Sequence, residues 1–434
     1  MSQSQKLSLP AAILININIM LGVGIFLNTP DIAQRAGWIG FLSYALVGTL
    51  MLPLILAIAE LLRRHPTTGF YGFGESEIHP FVGFISTWSY FTSKLGSCAV
   101  MIHSSVLFIQ EIIPALAPIS PFIFDLGIIS FFLMCNMFNM KTGAAIQKMF
   151  ICFKLLPILF VILCGIVFFN TDSFIATSHS LQEFYTTIPL VLYAIMGFEA
   201  ACSLSNRIEN PERNAPLAVL ISFSIVIVLS LLYQFFFYAI IGAQLEAVES
   251  KSVFGLFVNT ILPQSSLMRT KLIGLMQMGI AISALGGAYG IYFTNSLNLL
   301  TLAQKKHIFM PSIFAQLNAQ AIPYMCILTE GFLTVLYLAI TQGHPVPLRQ
   351  LSAFGCTITY TLSALALIVA LWRKPTSKLL SIIAWLAMCN CLILLMSCIN
   401  NFRINGIEIL YVFTGILIFG TIMYVMTERK KNIA

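Results

Sequence analysis

The sequence predicts an all-helical integral membrane protein with about twelve spanning helices. Three observations predict it. Of 434 residues, 58% are hydrophobic and 9% are charged. The mean hydropathy is +0.91. Apolar runs of spanning length recur from one end of the chain to the other. A soluble domain carries about 25% charged residues because its surface faces water; here most of the surface must face lipid. No long polar linker divides the chain, so one transmembrane domain over residues 1–434 is the simplest organisation.

A spanning helix needs about 20 mostly apolar residues to cross a hydrocarbon core of about 30 Å. Twelve runs qualify, near 9–36, 38–62, 81–112, 121–139, 146–169, 184–206, 216–242, 270–303, 321–341, 348–372, 378–400 and 405–427. The first follows a short polar start with Lys6 and has no small-residue cleavage site, so it is expected to stay as a span rather than act as a signal peptide. It is interrupted by Gly22 and Gly24. The sixth contains Gly197 beside Glu199.

Twelve spans place both termini on one side. The loops of that side hold Lys6, Arg63, Arg64, Lys141, Lys148, Arg207, Arg213, Lys305, Lys306, Arg373, Lys374, Lys378, Arg429, Lys430 and Lys431. The opposite loops hold Arg35, Lys251, Arg269, Lys271, Arg349 and Arg403. Fifteen basic residues against six predict cytoplasmic termini by the positive-inside bias, in a plasma (inner) membrane. The remaining two, Lys94 and Lys154, fall inside spans.

The net charge of +7 is no nucleic-acid footprint, because no basic stripe is interleaved with exposed aromatics. Ten cysteines are scattered through apolar runs. Only Cys389 and Cys391 stand close together, at a spacing that suits neither zinc nor a redox motif, so buried inert thiols are expected and no metal or cofactor.

If the first ten spans form two five-helix halves, the interrupted spans one and six occupy matching places. Paired Gly-interrupted helices are the best sequence pointer to an inverted-repeat transporter with its site at the midplane. Gly can also merely permit close helix packing, but two interruptions in correspondence favour the site.

The residues around these interruptions carry a resemblance. Gly22-Val23-Gly24-Ile25-Phe26 resembles the G-x-G-I-F signature of the amino acid–polyamine–organocation superfamily. Ala59-Glu60-Leu61 followed by Pro66-Thr67-Thr68-Gly69-Phe70-Tyr71 is similar to its A-E-L…P-x-x-G-G-x-Y segment. Gly197-Phe198-Glu199 followed by Asn210-Pro211-Glu212-Arg213-Asn214-Ala215-Pro216 is similar to its G-F-E…N-P-x-R-x-x-P signature. Pro311-Ser312-Ile313-Phe314 with Pro323 resembles the loop after span eight. The four markers stand in the family's order and spacing. Three positions depart from it: Phe70 replaces a Gly, Val23 fills a place that is Ser in some members, and Gln304-Lys305-Lys306-His307 replaces A-R-D-G.

The resemblance implies a LeuT-like fold: repeat one at about 9–169, repeat two at about 184–372, and two extra helices at about 378–427. It implies an amino acid permease working by alternating access, sodium-independent and coupled to protons, with an amino acid/polyamine exchanger or a transport-dead sensor as alternatives. It also implies that the N–H groups of Val23, Gly24 and Ile25 hold the substrate carboxylate, next to Gly22, and that the carbonyls of Met20, Tyr193 and Met196 hold the amino group. Ala194, Gly197 and Phe198 complete the second interruption, and the Tyr193 ring covers the substrate. The physics agrees, since a helix start favours a carboxylate and unwound backbone is tolerated only where it lines a cavity.

An ionisable group at the bilayer centre costs roughly 2.5–3.5 kcal/mol on insertion scales, so each needs a role. By resemblance, Lys154 stands against span one where sodium-coupled relatives bind sodium; it acts as a fixed cation or also titrates. Glu199 either changes partner during the cycle or caps exposed N–H groups. Lys94 is expected to form an internal pair, with Glu199 or another carboxylate, in preference to meeting an acidic substrate; mid-span placement argues against snorkelling. Glu330 reads as a polar contact between helices, Glu60 as interfacial, and His103 as a packed residue. No H-E-x-x-H, G-x-S-x-G or hydrolytic carboxylate pair is present, which argues against an enzyme. The expected partners are an amino acid, protons and the lipid bilayer.

Overall fold

The computed structural model describes residues 6–138, 140–174, 180–247, 253–262 and 267–433. It is all-helical: among the described residues the only β pairing is an isolated bridge between Leu7 and Ile208. In chain order the helices are α1 Leu9–Met20, α2 Gly24–Ala36, α3 Leu42–Arg64, α4 Gly69–Glu77, α5 Pro80–Ile112, α6 Pro121–Asn136, α7 Met140–Val167, α8 Leu181–Tyr185, α9 Ile188–Ile195, α10 Ala200–Leu204, α11 Pro211–Ile241, α12 Val253–Ile261, α13 Leu267–Gln304, α14 Pro311–Phe314, α15 Tyr324–Thr341, α16 Pro345–Arg373, α17 Lys378–Asn405 and α18 Glu408–Ile433.

Proline at the first turn starts many of them, where its missing N–H is one of the groups a helix leaves unpaired anyway. Pro80, Pro121, Pro211 and Pro345 stand there. The His79 side chain adds a cap by accepting the Phe81 N–H at 3.2 Å.

Among the described residues, ten helical stretches are long and apolar enough to cross a membrane, and α1 and α6 are shorter apolar helices. The expected twelve is therefore not matched by length alone. The first expected run is broken between α1 and α2, and the fourth is only the 16 residues of α6. Helices α4 and α12 were not foreseen, because nine residues are too few to register as a span. Of the basic residues read for orientation, Lys251 lies outside the described residues.

The core is built around α5, which packs most extensively on α13 and α16. The α1 helix lies against α11, α13 and α7, and α2 lies against α9. The surface stays apolar: Leu163, Ile393, Met396 and Tyr411 are each more than 60% exposed, and a face of that kind requires lipid rather than water. The cysteines are all free, but Cys152 and Cys389 are exposed, contrary to the expected burial. They sit on the outer faces of α7 and α17, where lipid demands only an apolar side chain.

Candidate functional site

The first helix break frees backbone carbonyls at the end of α1 and exposes three N–H groups at the start of α2. Leu21 N–H still reaches the Ile17 carbonyl at 2.9 Å, but Gly22 N–H turns to the Met20 carbonyl at 2.8 Å. The Asn18 carbonyl thereby loses its helical partner, and the Lys154 ammonium takes it at 2.5 Å. The Asn18 side chain is held by Gln147 and by the Gly286 carbonyl. In α2, Phe26 supplies the first N–H with a partner in its own turn, Val23 O at 3.2 Å. The N–H groups of Val23, Gly24 and Ile25 precede it and are the orphan donors of a helix start, at the positive end of its dipole.

The second break is at Met196–Glu199. Met196 is extended (φ −66, ψ 143) and Gly197 has φ 124, a conformation that a Cβ would strain. The chain resumes as α10, with Ala200 N–H on the Gly197 carbonyl at 3.1 Å.

The two breaks touch. A Cβ on Gly24 would stand 3.0 Å from Ala194 Cα, and one on Gly197 would stand 2.9 Å from Ile19 Cγ2 and 3.1 Å from Met20 N. Asn16 Nδ2 donates to the Phe198 carbonyl at 2.8 Å. Leu7 bonds Arg207 and Glu209 through the backbone, fastening the segment before α1 to the segment after α10.

Between the breaks lies a cavity of about 20 Å³, room for about one water. Met20, Gly22, Gly24, Lys94, Tyr193, Ala194 and Met196 line it, as do Ser97, Met101, Ile291 and Ser352, which sequence reasoning missed. The missed residues lie on α5, α13 and α16, where no helix break marks them. Ser97 and Ser352 hydrogen-bond to each other. Val23 and Ile25 are buried, as is Phe198, whose ring packs on Phe223 and Tyr360 rather than on the cavity. Of the three carbonyls expected to receive an amino group, that of Met20 already accepts from Gly22. Tyr193 and Met196 also line a larger cavity of about 280 Å³, so they partition the two. The Arg349 guanidinium lies over the Tyr193 ring at 5.4 Å.

The charge on the cavity wall is paired. Lys94 Nζ stands 2.7 Å from Glu199 Oε1, with both side chains buried. Glu199 Oε2 accepts the Gly197 N–H at 2.9 Å, and Tyr90 OH donates to Oε1 at 3.3 Å. The carboxylate therefore neutralises the lysine and also caps the break. Elsewhere, His103 pairs with Asp125 at 2.7 Å, so it is a polar partner and more than packing; nothing in the periodicity of the apolar runs marked Asp125. Glu60 pairs with Arg63 and Arg64 at the end of α3. Glu330 is wholly buried. Among the described residues no cluster of His, Cys, Asp and Glu could hold a metal ion.

The family model for amino acid permeases matches residues 7–427. The D-serine/D-alanine/glycine transporter of Escherichia coli O6:H1 is 23% identical over 350 residues, 75% of this chain and 71% of its own. The human b(0,+)-type amino acid transporter 1 is 23% identical over 391 residues, 85% and 76% of the two chains. The arginine/ornithine antiporter of Latilactobacillus sakei is 23% identical over 355 residues, 78% and 73%. With a match that runs nearly end to end, this chain belongs to the amino acid permease family of the amino acid–polyamine–organocation superfamily.

Proposed function

We propose that the protein is a secondary transporter of small neutral amino acids, sodium-independent and coupled to protons. The observation that carries this reading is the contact of the two helix breaks, Gly24 against Ala194, around a small cavity. Free N–H groups at the start of α2 suit a carboxylate, and the carbonyls of Tyr193 and Met196 suit an amino group one carbon away. Lys94, the charged residue on the cavity wall, is matched by Glu199, so the wall presents no net charge to a substrate side chain. The rest of the wall is small or apolar.

The cavity is too small for an amino acid as it stands, so loading requires the breaks to part. The reading is alternating access, in which α1–α2, α3, α9–α10 and α11 rock as a bundle against the remaining helices. Residues 9–169 and 184–372 form the two inverted repeats, with 378–427 added, in a plasma (inner) membrane and with both termini cytoplasmic. The two breaks at corresponding places and the basic bias of one set of loops support these assignments.

Exchange is the second reading, favoured by the full burial of Lys154 and its fixed bond to Asn18, and by the antiporter among the relatives. Purified protein in liposomes separates the two. Symport accumulates amino acid under an inward proton gradient, whereas exchange needs amino acid inside. A competition screen over amino acids at several pH values then defines the substrate; no uptake or counterflow of any amino acid would sink both readings.

A further inference from the structure

Glu330 of α15 is wholly buried, and neither of its carboxyl oxygens has a hydrogen-bond partner. The Thr334 hydroxyl bonds the Glu330 backbone carbonyl at 2.8 Å, leaving the side chain unserved. The groups that face it are the Cys98 thiol of α5, the Tyr292 phenol and Asn295 carboxamide of α13, and the Cys326 thiol of α15 itself. None of these carries a positive charge.

On the neighbouring helices, Lys94 pairs with Glu199, Arg349 lies on the Tyr193 ring and His103 bonds Asp125, while Arg269 and Lys271 stand at the start of α13 and Arg373 at the end of α16. The α6 helix meets α15 through Leu133, at Gly331. Among the described residues no Lys, Arg or His pairs with Glu330. An ionised carboxylate left alone in such a place costs far more than a neutral one, and the group takes a proton instead.

We infer that Glu330 is a proton-binding site, neutral in this conformation and releasing its proton to water in another. The Asn295 carboxamide beside it starts a hydrogen-bonded chain that runs to α10. Asn295, beside the carboxyl, accepts from Asn298 Nδ2 at 3.1 Å, and the same Nδ2 donates to Ser203 Oγ at 3.0 Å. Ser203 lies on α10, the half-helix that begins after Glu199. Asn295 Nδ2 is held by the Phe91 carbonyl at 3.0 Å, so movement of α10 breaks the Asn298–Ser203 bond and frees the Asn298 amide alone to turn. Asn298 then releases Asn295 Oδ1, and this change in the carboxamide beside Glu330 links α10 to the proton.

This inference rests on the proton-coupled reading, and two measurements keep the failures of the two apart. The first is infrared spectroscopy of the protein in lipid. The wild type should show a buried carboxylic-acid carbonyl stretch at neutral pH that is missing from Glu330→Gln; identical spectra would overturn the assignment. The second is transport. Glu330→Gln has the shape of the neutral acid, so it should fold and retain counterflow exchange, while its accumulation under a proton gradient falls to the equilibrium ratio. Undiminished accumulation in the variant, or loss of folding, would overturn the inference. A wild type that never accumulates under a proton gradient would instead defeat the coupling reading, and the infrared difference would still decide whether Glu330 binds a proton.

Discussion

The Lys154 ammonium donates at 2.5 Å to the Asn18 carbonyl, one that the first helix break deprives of its partner. The lysine nitrogen thus supplies a donor where an unwound carbonyl needs one. Ser283 serves the next carbonyls, giving 3.0 Å to Leu21.

The first prediction is that transport needs no sodium. Uptake should be unchanged when sodium is replaced by potassium or choline, and strict sodium dependence would refute the role. Lys154→Ala should lower uptake sharply, because it leaves a buried carbonyl unpaired at a cost of about 1–3 kcal/mol. If Lys154 also titrates, the pH response of transport vanishes with it; a pH profile that survives the substitution marks a fixed cation.

Gly24 is expected to tolerate no side chain. Its Cβ would press on Ala194 Cα at 3.0 Å, which is backbone of α9 and cannot swing aside. Overpacking of this kind costs about 1–3 kcal/mol, roughly ten- to a hundredfold in affinity. Gly24→Ala should weaken substrate binding by that factor, and Gly24→Leu should abolish it with the protein still inserted. Normal uptake by the leucine variant would remove α2 from the site.

Much of this was legible in the sequence because the chemistry was local. The breaks at 21–23 and 196–199 announce themselves through Gly22, Gly24 and Gly197, and the span limits follow from hydropathy. Facing direction was not legible. In a soluble helix the buried stripe is apolar and the rest polar; here lipid and core are equally apolar, so the pattern does not say which side of α15 carries Glu330 inward. Ser97, Ser352 and Ile291 escaped for the same reason. Lys94 and Glu199 lie 105 residues apart in numbering, and only the cost of a lone charge suggested a partner.

The Lys94–Glu199 pair makes a sharper test than either residue alone. Removing one member strands the other as a buried charge, at a cost of about 3–5 kcal/mol. Lys94→Met should therefore lower the thermal stability of the purified protein markedly. Adding Glu199→Gln should recover most of the loss, since the amide oxygen can still accept the Gly197 N–H. If Lys94→Met instead stays stable and selectively loses aspartate or glutamate transport, the lysine reads substrate charge.

The last prediction concerns the loop after α13 and the C-terminal helix. His307 is buried there, with Nε2 at 2.7 Å from Tyr71 OH of α4 and Nδ1 at 3.2 Å from Glu428 of α18. The Tyr424 ring lies against the imidazole at 4.7 Å between centroids, and Lys431 bonds Glu428 at 2.5 Å. Nearby, Lys305 pairs with Glu75 of α4 at 2.6 Å, so two links join the region to that helix. Burial first, and then the Lys431 ammonium, push His307 down from 6.5 to about 4. The folded protein thus refuses a proton that the unfolded chain accepts, and between those two values the unfolded state binds more protons. The contribution of His307 is fully present above pH 6.5 and is lost as pH falls through about 4. Thermal stability in detergent should decline across that window, and His307→Gln should flatten the decline by removing the titrating group. A variant with the same acid profile as the wild type would show that the α18 contact does not depend on the imidazole.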